Sequence, residues 1–408
     1  MPNSASAADR RARGASLAAL TVATFCFVTT DNLPVGLLPL IAKDLHTSLS
    51  TVGLLVTWYG LTVAVVSVPL TRATRHIPRR RLLSALLTVF VLASILSALA
   101  PNYQLLLAGR VATALAHAVF WAVAVVTAAE LFPPQVRGRV VAVVFGASSV
   151  ATVIGVPAGT WLGQQSTWRV AFLALTGLGL IALVIITALL PDAPAGEGHA
   201  SAATSPDARR YAVLLVATAL SVTGLSTAST YTVLYITQVN GFTSQAIGPL
   251  LFLRGAAGVA ALAGGGLLLD RRPRAAMILP TGLLALALFG LYVCGTSRLV
   301  AAVLLALFGA AMMLMITAMA NRVLFVAPGR TDVAAAAQSA VFNASVAAGA
   351  LIGALLLPAR GVHSTALAAA VLVSAAFAFL ALESRIADRG KAFPDFQTAD
   401  HRDDIVSS

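Results

Sequence analysis

The chain has 408 residues, 59% of them hydrophobic and 10% charged, with a mean hydropathy of +0.90. No soluble domain of this length hides that much apolar surface, so the surrounding medium is lipid, and segments of this length satisfy their backbone there only as helices. The net charge of +12 would suit a nucleic-acid binder, but nearly all the cations fall in the loops and tails that flank the apolar stretches, the pattern of a membrane protein that binds no nucleic acid.

Twelve apolar stretches are each long enough to cross a core of about 30 Å. In chain order they cover 17–40, 51–71, 82–100, 105–129, 140–162, 170–190, 211–237, 247–269, 275–294, 299–326, 333–357 and 366–382. The first follows the basic run Arg10-Arg11-Ala12-Arg13 but is too long for a signal peptide and has no small-residue cleavage site after it. The expected organisation is an N-terminal tail (1–16), a six-helix bundle (17–190), a Pro/Gly/Ala-rich linker (191–210), a second six-helix bundle (211–382) and a polar tail (383–408). With both termini in the cytoplasm, about 21 of the 27 Lys and Arg residues fall on the cytoplasmic side. This asymmetry sets the expected orientation in a cell membrane. Cys26 and Cys294 both lie in apolar spans, read as small core residues without a disulfide or a metal spacing.

The second half echoes the first. Pro78-Arg79 opens the third span and Pro273-Arg274 the ninth; Gly155 and Gly159 in the fifth span return as Gly349 and Gly353 in the eleventh. Paired repeats with a site at their interface are a signature of secondary transporters.

Four local patterns add detail. The first span reads Asp31-Asn32-Leu33-Pro34-Val35-Gly36-Leu37-Leu38-Pro39. The fourth carries Gly109-Arg110, the fifth Gly146 followed by Gly155-Val156-Pro157-Ala158-Gly159, and the sixth opens Trp168-Arg169-Val170-Ala171-Phe172. On these residues the chain resembles the major facilitator superfamily, and within it the twelve-helix drug:proton antiporters of the bacterial chloramphenicol-resistance and sugar-efflux type. The resemblance implies two pseudo-symmetric helical bundles, alternating access, a helix-four arginine at Arg110 and an antiporter motif at Gly146, Gly155, Pro157 and Gly159. It also implies gating loops at Arg75, Arg79 and Arg80 and at Asp270, Arg271 and Arg274. The first of these loops lacks the acid usual in the family, so a weaker latch is expected there. Arg254 stands where an apolar or aromatic residue is more usual.

An ionisable group inside a membrane costs about 2.5–3.5 kcal/mol on insertion scales and so needs an explanation. Asp31 and Arg110 come to similar depths, and the expectation is a proton-carrying acid beside a cation that tunes it. Arg254 reaches a comparable depth, either completing a buried network with them or snorkelling to the interface. Arg110, Ala114, His117 and Trp121 share one stripe of span four. Helices one, four, seven and ten line the cavity in the resembled family. Candidate cavity residues are therefore Asn32, His117, Trp121, Ser226, Tyr231, Tyr235, Met315 and Met319, to which Asn343 of the eleventh span is added. For the hydroxyls of span seven the competing reading is bonding along the helix, and for the methionines of span ten it is gap-filling.

There is no nucleotide-binding loop, metal spacing or nucleophile motif, so no enzyme and no cofactor are expected. The reading is a monomeric, proton-coupled exporter of a small, partly apolar molecule. A sugar or nucleoside exporter, and a passive facilitator in which Asp31 is structural, are the alternatives.

Overall fold

The structure, a computed structural model, describes residues 7–191, 207–271, 273–327 and 331–382. Among these residues twelve helices are long and apolar enough to cross a membrane: Arg11–Asp44, Leu49–Thr74, Arg79–Ala98, Tyr103–Glu130, Arg139–Gln165, Trp168–Leu189, Ala208–Thr230, Ser244–Gly264, Arg274–Cys294, Arg298–Val323, Ala334–Arg360 and His363–Ala381. They are called spans one to twelve. Most of the expected linker and the whole C-terminal tail lie outside the described residues.

The main helix packings of one half have counterparts in the other. Span one packs on spans five and six, span two on four, and span three on four and six. Correspondingly, span seven packs on eleven and twelve, eight on ten, and nine on ten and twelve. The halves meet through spans two and eleven and through spans five and eight, two contacts related by the same exchange. The glycine repeat explains part of this. A Cβ at Gly155 would lie 2.2 Å from Thr29 Oγ1, and one at Gly349 would lie 2.2 Å from the Thr223 carbonyl oxygen. Small residues thus let span five close on one, and eleven on seven. Gly146 departs from the expectation, since nothing lies within 4 Å of its Cβ direction.

Two spans are not regular. Span five contains a π-helical turn over Ala151–Gly155 directly before Pro157. Proline removes the N–H that would reach back four residues, and a wider turn absorbs the mismatch. Span seven, expected to run unbroken to residue 237, breaks at Tyr231 and continues as Thr232–Leu234 and a π-turn over Tyr235–Val239.

The loops divide the bundle into an arginine-rich end, with Arg72, Arg75, Arg79–Arg81, Arg137 and Arg139, and an arginine-poor end. Contacts that seal the halves gather at the arginine-poor end. Gln164 Nε2 donates to the Ser244 carbonyl at 3.1 Å. A Cβ at Gly53 would lie 2.0 Å from Tyr231 Oη, and one at Gly255 would lie 2.9 Å from Val153 Cα. Further along, Gly60 meets the Asn343 carbonyl. Large apolar residues such as Leu92, Val184, Leu286 and Leu355 are exposed around the outside, as a lipid-facing surface requires. Cys26 is buried and Cys294, against expectation, exposed.

Candidate functional site

Arg110 is held by span one through its backbone. Its Nη1 donates to the Thr30 carbonyl at 2.6 Å and its Nη2 to the Asp31 carbonyl at 3.1 Å. The Thr30 carbonyl is available because its helical partner would be the N–H of residue 34, and Pro34 has none. The Asp31-x-x-Pro34 spacing thus makes an acceptor at the level where span four presents a cation. Arg110 is 1% exposed, and its guanidinium stacks over the Tyr59 ring, 4.5 Å from the centroid. The expected pairing with the Asp31 side chain is corrected here. The ion pairs among the described residues are Arg79–Glu130, Arg169–Asp44 and Arg210–Asp207, and the Asp31 carboxylate joins none. It remains half-buried and within the electrostatic influence of Arg110.

The stripe on span four continues as a hydrogen-bonded chain. Trp121 Nε1 donates to His117 Nε2 at 2.6 Å, and His117 Nδ1 is 2.5 Å from Tyr59 Oη. An indole N–H can only donate, so Nε2 is an acceptor and the neutral ring carries its proton on Nδ1, facing Tyr59. Phe27 stacks on His117 at 5.6 Å, and Phe145 on Trp121 at 5.6 Å. Span two therefore contributes Tyr59, which joins Arg110 to His117 and which sequence reasoning missed.

The candidates in the second half are placed differently. Ser226 donates to the Val346 carbonyl at 2.8 Å, and Tyr231, fully buried, donates to the Ala350 carbonyl at 3.2 Å. Both tie span seven to eleven, and Tyr231 also fills the space beside Gly53. Tyr235 is buried and donates to the Leu291 carbonyl at 2.8 Å. Met315 and Met319 lie in the apolar core of the second half, where Thr218 and Ser221 point their hydroxyls at the Met319 sulfur, each at 3.7 Å. These five side chains pack the bundle, and of them Tyr235 also borders a small cavity against Leu288, Leu291 and Leu305. Asn32, exposed, donates to the Val28 carbonyl at 3.0 Å, and Asn343, half-buried, to that of Ser339 at 2.9 Å, so both amides fold back on their own helices.

Among the described residues Arg254 reaches no acid, and it does not snorkel outward, which departs from both expectations for it. Its guanidinium turns into the second half, 2.5 Å from Ser229 Oγ, 3.4 Å from Thr232 Oγ1 and 3.4 Å from Met312 Sδ, over the Phe308 ring at 4.2 Å.

In the first gating loop the acid comes from elsewhere. Arg79, buried, engages both carboxylate oxygens of Glu130, at 2.5 and 2.9 Å, so the end of span four latches the start of span three. Arg80 donates to the Thr187 carbonyl and Arg75 to His76 Nε2. Arg274 is exposed. The side chains of Asp270 and Arg271, and all of Arg272, lie outside the described residues. At the opposite end Trp168 and Arg169 both donate to Asp44, and Arg169 also donates to the Ala100 carbonyl at 2.8 Å. The opening residues of span six therefore pin the ends of spans one and three.

A family model described as Major Facilitator Superfamily matches residues 20–340. Among solved structures, the chain is similar to a bacterial homologue of the human lysosomal transporter Spinster in an inward-facing, unoccupied conformation. The two share 15% identity at a TM-score of 0.71, over 93% of this chain and 98% of that one. The human organic anion transporter MFSD10 (TETRAN) is similar at 17% identity and a TM-score of 0.65, over 91% and 99%. At these identities the likeness is one of fold. The match over most of the length agrees with the repeated six-helix halves, and the chain belongs to the Major Facilitator Superfamily, as a multi-pass membrane transporter and not an enzyme.

Proposed function

We propose that the protein is a proton-coupled exporter of a small, partly apolar molecule, working as a monomer by alternating access. Its arginine-rich end faces the cytoplasm, by the positive-inside asymmetry of its loops. The observation that carries the reading is the state of Asp31. Among the described residues it is the one carboxylate deep within a spanning helix, half-buried beside Arg110 and free of an ion pair. A carboxyl in that setting takes up and releases a proton without first breaking a salt bridge. The charge it gains or loses acts directly on the cation that ties span four to span one. Loss of the proton strengthens the attraction between the two helices, and gain weakens it. In alternating access, closure at the arginine-poor end belongs to the state in which substrate would be captured from the cytoplasm.

The test is substrate-induced proton movement in proteoliposomes, with the substrate identified by a growth screen of an efflux-deficient strain against antibiotics, dyes and sugars. A transporter that equilibrates its substrate but moves no proton is a facilitator. Export confined to sugars or nucleosides would keep the mechanism and change the cargo.

A further inference from the structure

We propose that Arg254 forms an anion-binding subsite for the transported molecule, whose preferred form is then an organic anion with a compact acidic group on an apolar body. The inference rests on the transport reading and assigns the substrate class of that function.

Among the described residues the charge of Arg254 has no counter-charge. It sits seven residues into its helix from Ile247, roughly 10 Å from the arginine-poor end at 1.5 Å per residue. The four groups around it are two hydroxyls, a thioether and an aromatic face, and no carboxylate among the described residues pairs with it. Neutral acceptors satisfy N–H bonds but leave a monopole in a low-dielectric bundle, a costly arrangement unless something compensates it. Arg110 differs, because a carboxylate lies within its influence.

The placement is built by the backbone. A Cβ at Gly309 would lie 1.9 Å from the Arg254 carbonyl oxygen, and one at Gly258 would lie 3.0 Å from the Gly309 carbonyl oxygen. Spans eight and ten thus touch backbone to backbone at this level, and the side chain of Arg254 starts in the space that Gly309 leaves, its Cγ 2.9 Å from where a Cβ would stand. It runs from there across Phe308 toward span seven. A chain free to snorkel would run to the interface instead.

The guanidinium has capacity left. Its hydrogen bonds to Ser229, Thr232 and Met312 use three of five N–H groups. Arg254, Ser229 and Met312 are each only half-buried, so the fork is reachable. A planar or tetrahedral oxyanion takes two parallel N–H bonds from such a fork, a stronger arrangement than any of the present contacts. Around it the walls are apolar. Thr232 and Phe308 also border a cavity of about 20 Å³ lined by Tyr235, Leu288, Leu291 and Leu305, so a hydrophilic anion would gain little beyond its charge.

The test uses the full chain in lipid nanodiscs and thermal-shift titration with benzoate, benzenesulfonate and phenyl phosphate, each against a neutral isostere such as benzamide or benzenesulfonamide. At least one anion should bind more than about tenfold tighter than its neutral partner, and Arg254→Gln should erase that preference. Arg254→Lys, which keeps the charge and loses the fork, should retain only part of it, and serves if the glutamine variant does not fold. Equal binding of every anion and its isostere overturns the proposal, as does an anion preference that survives unchanged in either variant. If Arg254-dependent anion binding is found but Asp31→Asn still couples export to protons, the coupling assignment fails and the subsite stands.

Discussion

Arg110 donates to the backbone carbonyl of Asp31 at 3.1 Å while the carboxylate of the same residue stays outside any ion pair. The cation is therefore anchored by groups that never titrate, and the acid beside it is free to. Removing Arg110 leaves the Thr30 carbonyl orphaned inside the bundle as well as breaking the tie between spans one and four. Arg110→Ala should destabilise the protein by about 2–4 kcal/mol. Pro34→Ala, which restores an N–H facing Thr30, should keep stability within about 1 kcal/mol while lowering transport. Thermal unfolding in detergent alongside export rate separates the two effects.

The Trp121–His117 bond makes a spectroscopic prediction. With the indole donating to Nε2, His117 should appear as the neutral Nδ1–H tautomer in nitrogen NMR of histidine-labelled protein at neutral pH. Trp121→Phe should release that restriction. An imidazolium or an Nε2–H tautomer in the wild type would show that His117 is not held by Trp121.

Tyr231 and Gly53 predict a paired effect on conformation. Gly53→Ala places a methyl against Tyr231 Oη at the seal between the halves. It should shift the population toward the state open at the arginine-poor end, seen as faster cysteine labelling there. Tyr231→Phe in the same background should restore part of the wild-type labelling, since the hydroxyl is the nearest atom. Identical labelling in all three proteins would mean that this contact does not seal the halves.

Glu130→Gln should cost about 1–2 kcal/mol, because Arg79 is buried and would lose its charged partner. Arg75, exposed, and Arg80, half-buried but bonded only to a carbonyl at the surface, should each tolerate alanine at a smaller cost, within about 0.5 kcal/mol. Chemical or thermal denaturation of the three variants checks the ranking.

Membrane spans, repeated halves and the intramembrane charges were legible because lipid penalises polar groups so heavily that each leaves a trace in the sequence. Asp31, Arg110 and the stripe through His117 to Trp121 belong to that class. Partners were not legible. Tyr59 is one of two adjacent aromatics in an apolar helix, and Glu130 is 51 residues from Arg79; neither carries a local signal. The hydroxyls of span seven are ambiguous in the sequence for a physical reason. Thr218, Ser221, Thr227 and Thr232 donate to carbonyls four residues back on their own helix, so a polar count there measures helix bonding, not a wet surface. The release of the Thr30 carbonyl by Pro34 could have been derived from the sequence, since a proline frees the carbonyl four residues before it.

The central claim is that Asp31 carries the coupling proton. The direct measurement is substrate-induced proton flux in proteoliposomes bearing Asp31→Asn, beside downhill substrate exchange in the same vesicles. Proton flux and uphill export should vanish while folding and some downhill exchange persist. Uphill export at a near wild-type rate in Asp31→Asn would contradict the account and place the proton on another group, with His117 the next to examine.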